Sequence, residues 1–156
     1  MINNDVLRSI RYMLDLSDIK VVEIAKLPNP ELRLSLDDLK SMLVKEGDEY
    51  RVECSDAVLA HFLDGLIIHQ RGRDERMPVR AVEKRVTNNV VMKKLRVAFE
   101  LKDEDMHQIF ADADFPVTKP ELSALFRQPG HKHYRDCGDQ MLRNFLKGLT
   151  TRLRGE

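Results

Sequence analysis

Long apolar runs, cysteine and an excess of charge of either sign are all scarce in this chain of 156 residues. No run approaches the roughly 18 consecutive apolar residues that can span a bilayer. Met1-Ile2-Asn3-Asn4-Asp5 has neither the basic start nor the apolar stretch of a signal peptide. A cytosolic protein with no membrane partner is expected. The 2 cysteines are too few for a disulfide framework, which that compartment disfavours, so both are read as thiols. The 26 basic and 26 acidic residues cancel. That balance argues against a protein held chiefly by nucleic-acid phosphates, because such binding needs a concentrated positive surface and counterion release. Also missing are a phosphate loop, a nucleophile elbow, a metalloprotease helix and dinucleotide-binding glycines, the short motifs by which many enzyme classes declare themselves. No cofactor is implied.

What the chain does have is one unit written twice. Gly47 to Gly72 recurs as Gly130 to Gly155 at a constant offset of 83, pairing Cys54 with Cys137, Asp56 with Asp139, Phe62-Leu63 with Phe145-Leu146, and Gly65 with Gly148. Upstream the offset is 85: Asn4, Val6, Arg11, Leu16, Asp18 and Ile24 meet Asn89, Val91, Arg96, Leu101, Asp103 and Ile109. Repeats outrank local motifs in reading a fold. The division expected is a first repeat over 1–72, a charged linker over 73–87 and a second repeat over 88–156. Units of this size lie near the lower limit for separate cores, so the copies should pack together. Charge is uneven along the chain, at −4 for Met1 to Gly72, +2 for Arg73 to Val86 and +2 for Thr87 to Glu156.

The hydrophobic spacing predicts four helices per copy. The first opens at Asn4 or Asn89, an expected cap, and buries Val6, Ile10 and Leu14 or Val91, Leu95 and Phe99. Asp18 and Asp103 are expected to cap the second, which buries Val21, Ile24 and Ala25 or Met106, Ile109 and Phe110. Prolines 28, 30 and 116 mark the loop that follows. Ser35 with Asp38, and Thr118 with Glu121, form capping boxes before Leu39, Met42 and Leu43 or Leu122, Leu125 and Phe126. The third helix should stop near Gly47 or Gly130. The fourth carries Leu59, Phe62, Leu63 and Leu66, or Leu142, Phe145, Leu146 and Leu149, at i, i+3, i+4, i+7. Gly65 and Gly148 fall inside it, where glycine costs about 1 kcal/mol against alanine, so a second backbone is expected to cross there. Gly72 and Gly155 end it. In the linker, Pro78 is positioned to begin a short helix through Val82 and Val86. The fold class is therefore all-α, with two tandem homologous four-helix units in a pseudo-symmetric arrangement.

Asn-Asp-Val-Leu-Arg-x-x-Arg-Tyr near the start, Cys54-Ser55-Asp56, and the run from Cys137 to Leu149 resemble the YehS-like bacterial family over essentially the whole chain. That resemblance implies a duplicated helical domain of unknown function and transfers no site residues.

The most chemically suggestive segment runs from Gly130 to Asp139. His131, His133 and Cys137 are zinc-ligand types close enough in sequence to converge, although the first copy has Asp48 and Tyr50 where the histidines stand. Cys54 and Cys137 precede a helix start, where a thiol can become nucleophilic, with His133 four residues before Cys137. Their equivalence in two copies points instead to a packing role, since a catalytic thiol needs no twin. For the same reason Asp56 and Asp139 are read as first-turn carboxylates. Arg11 and Arg96 are expected to pair with Asp15 and Glu100, or, as the preferred alternative, with Asp56 and Asp139. Arg127, His131, Lys132, His133, Tyr134, Arg135 and Arg143 form a candidate phosphate-contact cluster for DNA or RNA, with the tyrosine available for stacking. The function expected first is a non-catalytic binding or regulatory module acting through a protein partner, with homo-oligomerisation open. A nucleic-acid-associated regulator comes second, and a metal or thiol site at His131, His133 and Cys137 third.

Overall fold

In both copies the first two helices are joined by the same tight turn. The Leu16 N–H reaches back to the Arg11 carbonyl at 3.0 Å, and the Leu101 N–H to the Arg96 carbonyl at 2.9 Å. The residue at the corner, Asp15 or Glu100, sits in the left-handed region at φ 52°, the arrangement that satisfies a helix's last carbonyls. The computed structural model describes residues 1–76 and 81–156 of the chain. Its helices are α1 (Asn3–Met13), α2 (Asp18–Ala25), α3 (Leu36–Leu43) and α4 (Asp56–Arg71), then α5 (Asn88–Ala98), α6 (Asp103–Asp112), α7 (Lys119–Leu125) and α8 (Asp139–Arg154). The chain is all-helical and consists of two four-helix units.

Capping explains several boundaries. Ser35 with Asp38 and Thr118 with Glu121 make the expected reciprocal bonds at the starts of α3 and α7. Two other expected caps are displaced. Ser17, not Asp18, caps α2 by accepting the Lys20 N–H, and the Asp105 carboxylate accepts the Lys102 N–H at 2.8 Å ahead of α6. Asp18 and Asp103 each stand one residue later, at the first helical position. α3 and α7 end at Leu43 and Leu125, before Gly47 and Gly130, which lie in the following loops at φ 87° and 94°. Pro78 lies outside the described residues, and Val82 and Val86 are not helical.

Arg11 and Arg96 find neither of their expected partners. Arg11 Nε bonds the Asp18 carboxylate at 2.9 Å and Arg96 Nη2 that of Asp103 at 2.5 Å. The left-handed corner explains this, because it folds the start of the second helix back beside the end of the first.

The central framework is two pairs of helices, α1 with α8 and α4 with α5, each drawn from both repeats. Within a pair the helices run parallel. Asp56 at the start of α4 accepts the Val86 N–H just before α5, and Arg71 at the end of α4 pairs with Glu100 just past α5 at 3.3 Å. Likewise Asp139 at the start of α8 takes the Met1 amino group, and Arg154 Nη1 donates to the Tyr12 carbonyl at the end of α1. Asn3 bonds Asp56 and Asn88 bonds Asp139, so all four N-termini meet at one end. One hydrophobic cluster spans both copies. The residues expected inside are buried, except that Leu14, Leu43, Phe99 and Phe126 pack at its margin.

α2 crosses α4 at Gly65, and α6 crosses α8 at Gly148. A Cβ built on Gly65 would lie 1.8 Å from the Ile24 carbonyl oxygen, and one on Gly148 would lie 2.1 Å from that of Ile109. The obstacle is backbone, which cannot swing aside as a side chain can. Helix propensity alone would make alanine better by about 1 kcal/mol. Overpacking reverses that sign: Gly65→Ala and Gly148→Ala should each destabilise the fold by about 1–3 kcal/mol or more, read as a lowered urea midpoint.

Candidate interaction surface

The first helix of each copy carries two adjacent asparagines that hold the segment leading into the fourth helix. Asn4 is not the cap expected from its residue type; it lies inside α1, buried at 1% exposure. Its Nδ2 donates to the Met42 carbonyl at 2.9 Å and the Val52 carbonyl at 2.8 Å, and its Oδ1 accepts the Cys54 N–H at 2.9 Å. Asn89 repeats the set with the Leu125 and Arg135 carbonyls at 3.0 and 2.9 Å and the Cys137 N–H at 2.8 Å. Asn3 and Asn88 bond the carbonyls of Cys54 and Cys137. Both polar atoms of the amide are used in each clamp, as the burial of Asn4 requires.

Between the clamp points the chain makes a loop, and its hydrogen bonds also repeat. Asp48 N–H bonds the Lys45 carbonyl, Arg51 N–H that of Asp48, and Val52 N–H that of Ser41. In the second copy His131 bonds Gln128, Tyr134 bonds His131, and Arg135 bonds Ala124 in the same sense. The Tyr50 N–H donates to the Asp48 carboxylate at 2.8 Å, where the His133 N–H donates to His131 Nδ1 at 3.0 Å. The backbone is one design used twice, and the exposed chemistry is opposite. Residues 44–53 hold four acidic and two basic side chains, while 127–136 hold one acidic and three basic. Glu49 stands where Lys132 stands, Tyr50 where His133 stands, and Val52 where Arg135 stands. Tyr50 is 74% exposed and Val52 47%. These two are the surface residues that motif reasoning passed over, because neither belongs to a chemical motif. Extending the offset of 83 through the loop pairs each with its charged or polar counterpart.

The basic cluster expected in the second copy is gathered only in part. Arg127 and His131 line an open cleft of about 650 Å³ together with Phe126, Gln128, Pro129 and Gly130. The rings of His131 and His133 lie 5.6 Å apart, and Lys132 is exposed. Arg135 projects outward to within 3.6 Å of the Glu121 carboxylate. Arg143 lies one turn into α8, where its charge acts on Asp139. Tyr134 is half-buried, and its hydroxyl is pushed above its ordinary value by burial and by a bond to Asp136.

The three residues proposed as zinc ligands do not converge. Cys137 turns into the core while His131 and His133 lie on the outer side of the loop, and one nitrogen of His131 is already taken by the His133 N–H. Among the described residues no group of three or more His, Cys, Asp or Glu is arranged to hold a metal ion. Both thiols are buried, and burial first, then the nearby Asp56 or Asp139, pushes each up to about 12. Asp139 moves the other way, held below the usual carboxylate range by the Met1 amino group and Asn88. Among the described residues no helix is long and apolar enough to cross a membrane.

Asn4→Ala would strand two carbonyls and an N–H, at about 1–3 kcal/mol for each buried group. Asn89 is less deeply placed, so Asn89→Ala should cost less than Asn4→Ala in denaturant titrations. A thiol held near 12 supplies little thiolate at neutral pH. Iodoacetamide should therefore label Cys54 and Cys137 at least about 100-fold more slowly in the native chain than in urea, with the rate followed by mass spectrometry.

A family described as protein of unknown function, DUF1456, matches residues 3–72 and 88–155. The chain is also similar to the uncharacterized protein YehS of Escherichia coli (strain K12), at 45% identity over 152 residues that cover 97% of this chain and 96% of that protein. No solved structure matches it. The paired match over the two repeats, with a relative similar from end to end, places the chain in the DUF1456 family.

Proposed function

We propose that this protein is a non-catalytic cytosolic binding module that acts through a protein partner, with its two clamped loops as the recognition face. The observation that carries the reading is the pairing of one hydrogen-bonded loop frame with two different displays of side chains. A rigid frame lowers the entropy lost on binding. An exposed tyrosine and valine rimmed by carboxylates are suited to a protein surface, where aromatic anchors supply most of the energy and charged rims set orientation. The groups whose chemistry suits catalysis have structural duties instead: the thiols are buried, with burial pushing both up to about 12, and Asp56 and Asp139 tie the helix starts together.

A nucleic-acid reading draws on Arg127, Lys132 and Arg135, which are all exposed. It is the weaker of the two, because the residue offered for base stacking, Tyr134, is half-buried and the chain as a whole carries no net positive charge.

The test is affinity capture from cells with the tagged chain, nuclease-treated, beside a Tyr50→Ala, Val52→Ser variant. Wild type should retain a reproducible protein that the variant loses by about tenfold or more. Capture of no protein, or of the same proteins by both, would overturn the reading. Material lost on nuclease treatment, with a salt slope that flattens in Lys132→Glu, Arg135→Glu, would move the assignment to nucleic acid.

A further inference from the structure

The two loops differ in a way that makes each a match for the other. The first presents Glu46, Asp48, Glu49 and Glu53 around an outstanding tyrosine; the second presents Arg127, Lys132 and Arg135 around an open cleft. Tyr50 is 74% exposed, so the chain's own cleft does not hold it. The cleft offers what a phenol ring seeks: the Pro129 surface for one face and the Arg127 guanidinium for a cation–π contact, beside a Phe126 ring that the Arg96 guanidinium covers on one side at 4.7 Å. It is shallow and open to solvent, so a ring can lie in it with the flanking backbone close behind.

We propose that the occupant of this cleft is a second copy of the chain, whose Tyr50 inserts between Phe126 and His131 while its acidic loop lies against Lys132 and Arg135. The inference rests on the reading of the loops as a recognition face and names one partner for it. Opposite charges at equivalent positions, Glu49 and Lys132, supply the complementarity that steers such an encounter and disfavours acidic-on-acidic or basic-on-basic contacts. Both loops lead into helices whose N-termini meet at one end of the framework, on opposite sides of the pseudo-twofold relation. A twofold dimer would therefore make the contact twice, each acidic loop on its partner's basic loop, and so close without forming a filament.

Sedimentation equilibrium on the purified full chain, from low-micromolar to high-micromolar concentration and at low and high salt, tests the proposal. Wild type should associate reversibly, and less at high salt. Tyr50→Ala should weaken association by about tenfold or more. Glu49→Lys neutralises the first loop and puts a lysine at the equivalent position of both, and Lys132→Glu neutralises the second and puts a glutamate there, so each variant alone should associate at least about tenfold more weakly than wild type, while an equimolar mixture should associate again. Both positions are exposed, and thermal melts matching wild type verify that the variants are folded. A wild-type chain that stays monomeric throughout, an association indifferent to these changes, or a mixture that fails to reassociate would each overturn self-docking. None of those results bears on a different protein captured through Tyr50 and Val52, which the preceding experiment reads separately. A chain that self-associates as described but captures nothing else would leave self-docking standing and remove the heterologous partner.

Discussion

Each repeat closes around one asparagine amide, buried in the first copy and half-buried in the second. Asn4 joins the end of α3, the returning loop and the entry to α4 through three hydrogen bonds that reach across 38, 48 and 50 residues of sequence. Without it, two carbonyls and an amide would sit inside the protein with no partner, and a buried unpaired group costs more than a formed bond returns. The amide must be in place for α1 to meet α4, and the loop is closed by the same act. Fold and display surface therefore share one fastening, repeated at Asn89.

The pairing of α1 with α8 and α4 with α5 makes the repeats interdependent. Each pair takes one helix from each copy, so neither unit buries its first and fourth helices alone. The glycine crossings draw α2 onto α4 and α6 onto α8, and the remaining helices close the outside. The two interfaces between copies are not identical, however. Lys94 and Asp64 form a 2.8 Å ion pair between α5 and α4, both about one-fifth exposed, whereas the equivalent positions between α1 and α8 are Ser9 and Lys147. A charge pair on one side only distinguishes the related contacts, so the chain is pseudo-symmetric in its backbone and asymmetric in its chemistry.

Much of this was legible in the sequence. Glycine in the middle of a strongly patterned helix, present in both copies, has few explanations besides a close crossing, and the carbonyls of Ile24 and Ile109 supply it. The apolar spacing found the core because a helix face obeys a period. The misreadings share a cause, which is that they needed tertiary geometry. A rule for straight helices pairs Arg11 with Asp15, and the preferred alternative pairs it with Asp56, but the left-handed turn at Asp15 brings Asp18 within reach instead. Asparagine commonly caps helices, which makes Asn4 an expected cap, and nothing local reveals that its partners lie at the end of α3 and in the loop before α4. The loops themselves have no period, so their common conformation became visible only through their hydrogen bonds.

A duplicated frame changes what divergence can do. When the bonds that shape a loop are made by backbone groups and by an asparagine outside it, the loop's exposed side chains can change without loss of shape. The first loop retains Asp48 to accept the Tyr50 N–H, and the second uses His131 for the equivalent bond; both serve the turn although their charges differ. Glu49 and Lys132 have no such duty in the turn, and their signs are opposite. Reversal at a position that carries no structural load leaves stability nearly untouched and acts on what the surface meets. The difference between the two loops is therefore one of exposed chemistry alone, and one repeated frame carries both signs without a change in the bonds that shape it.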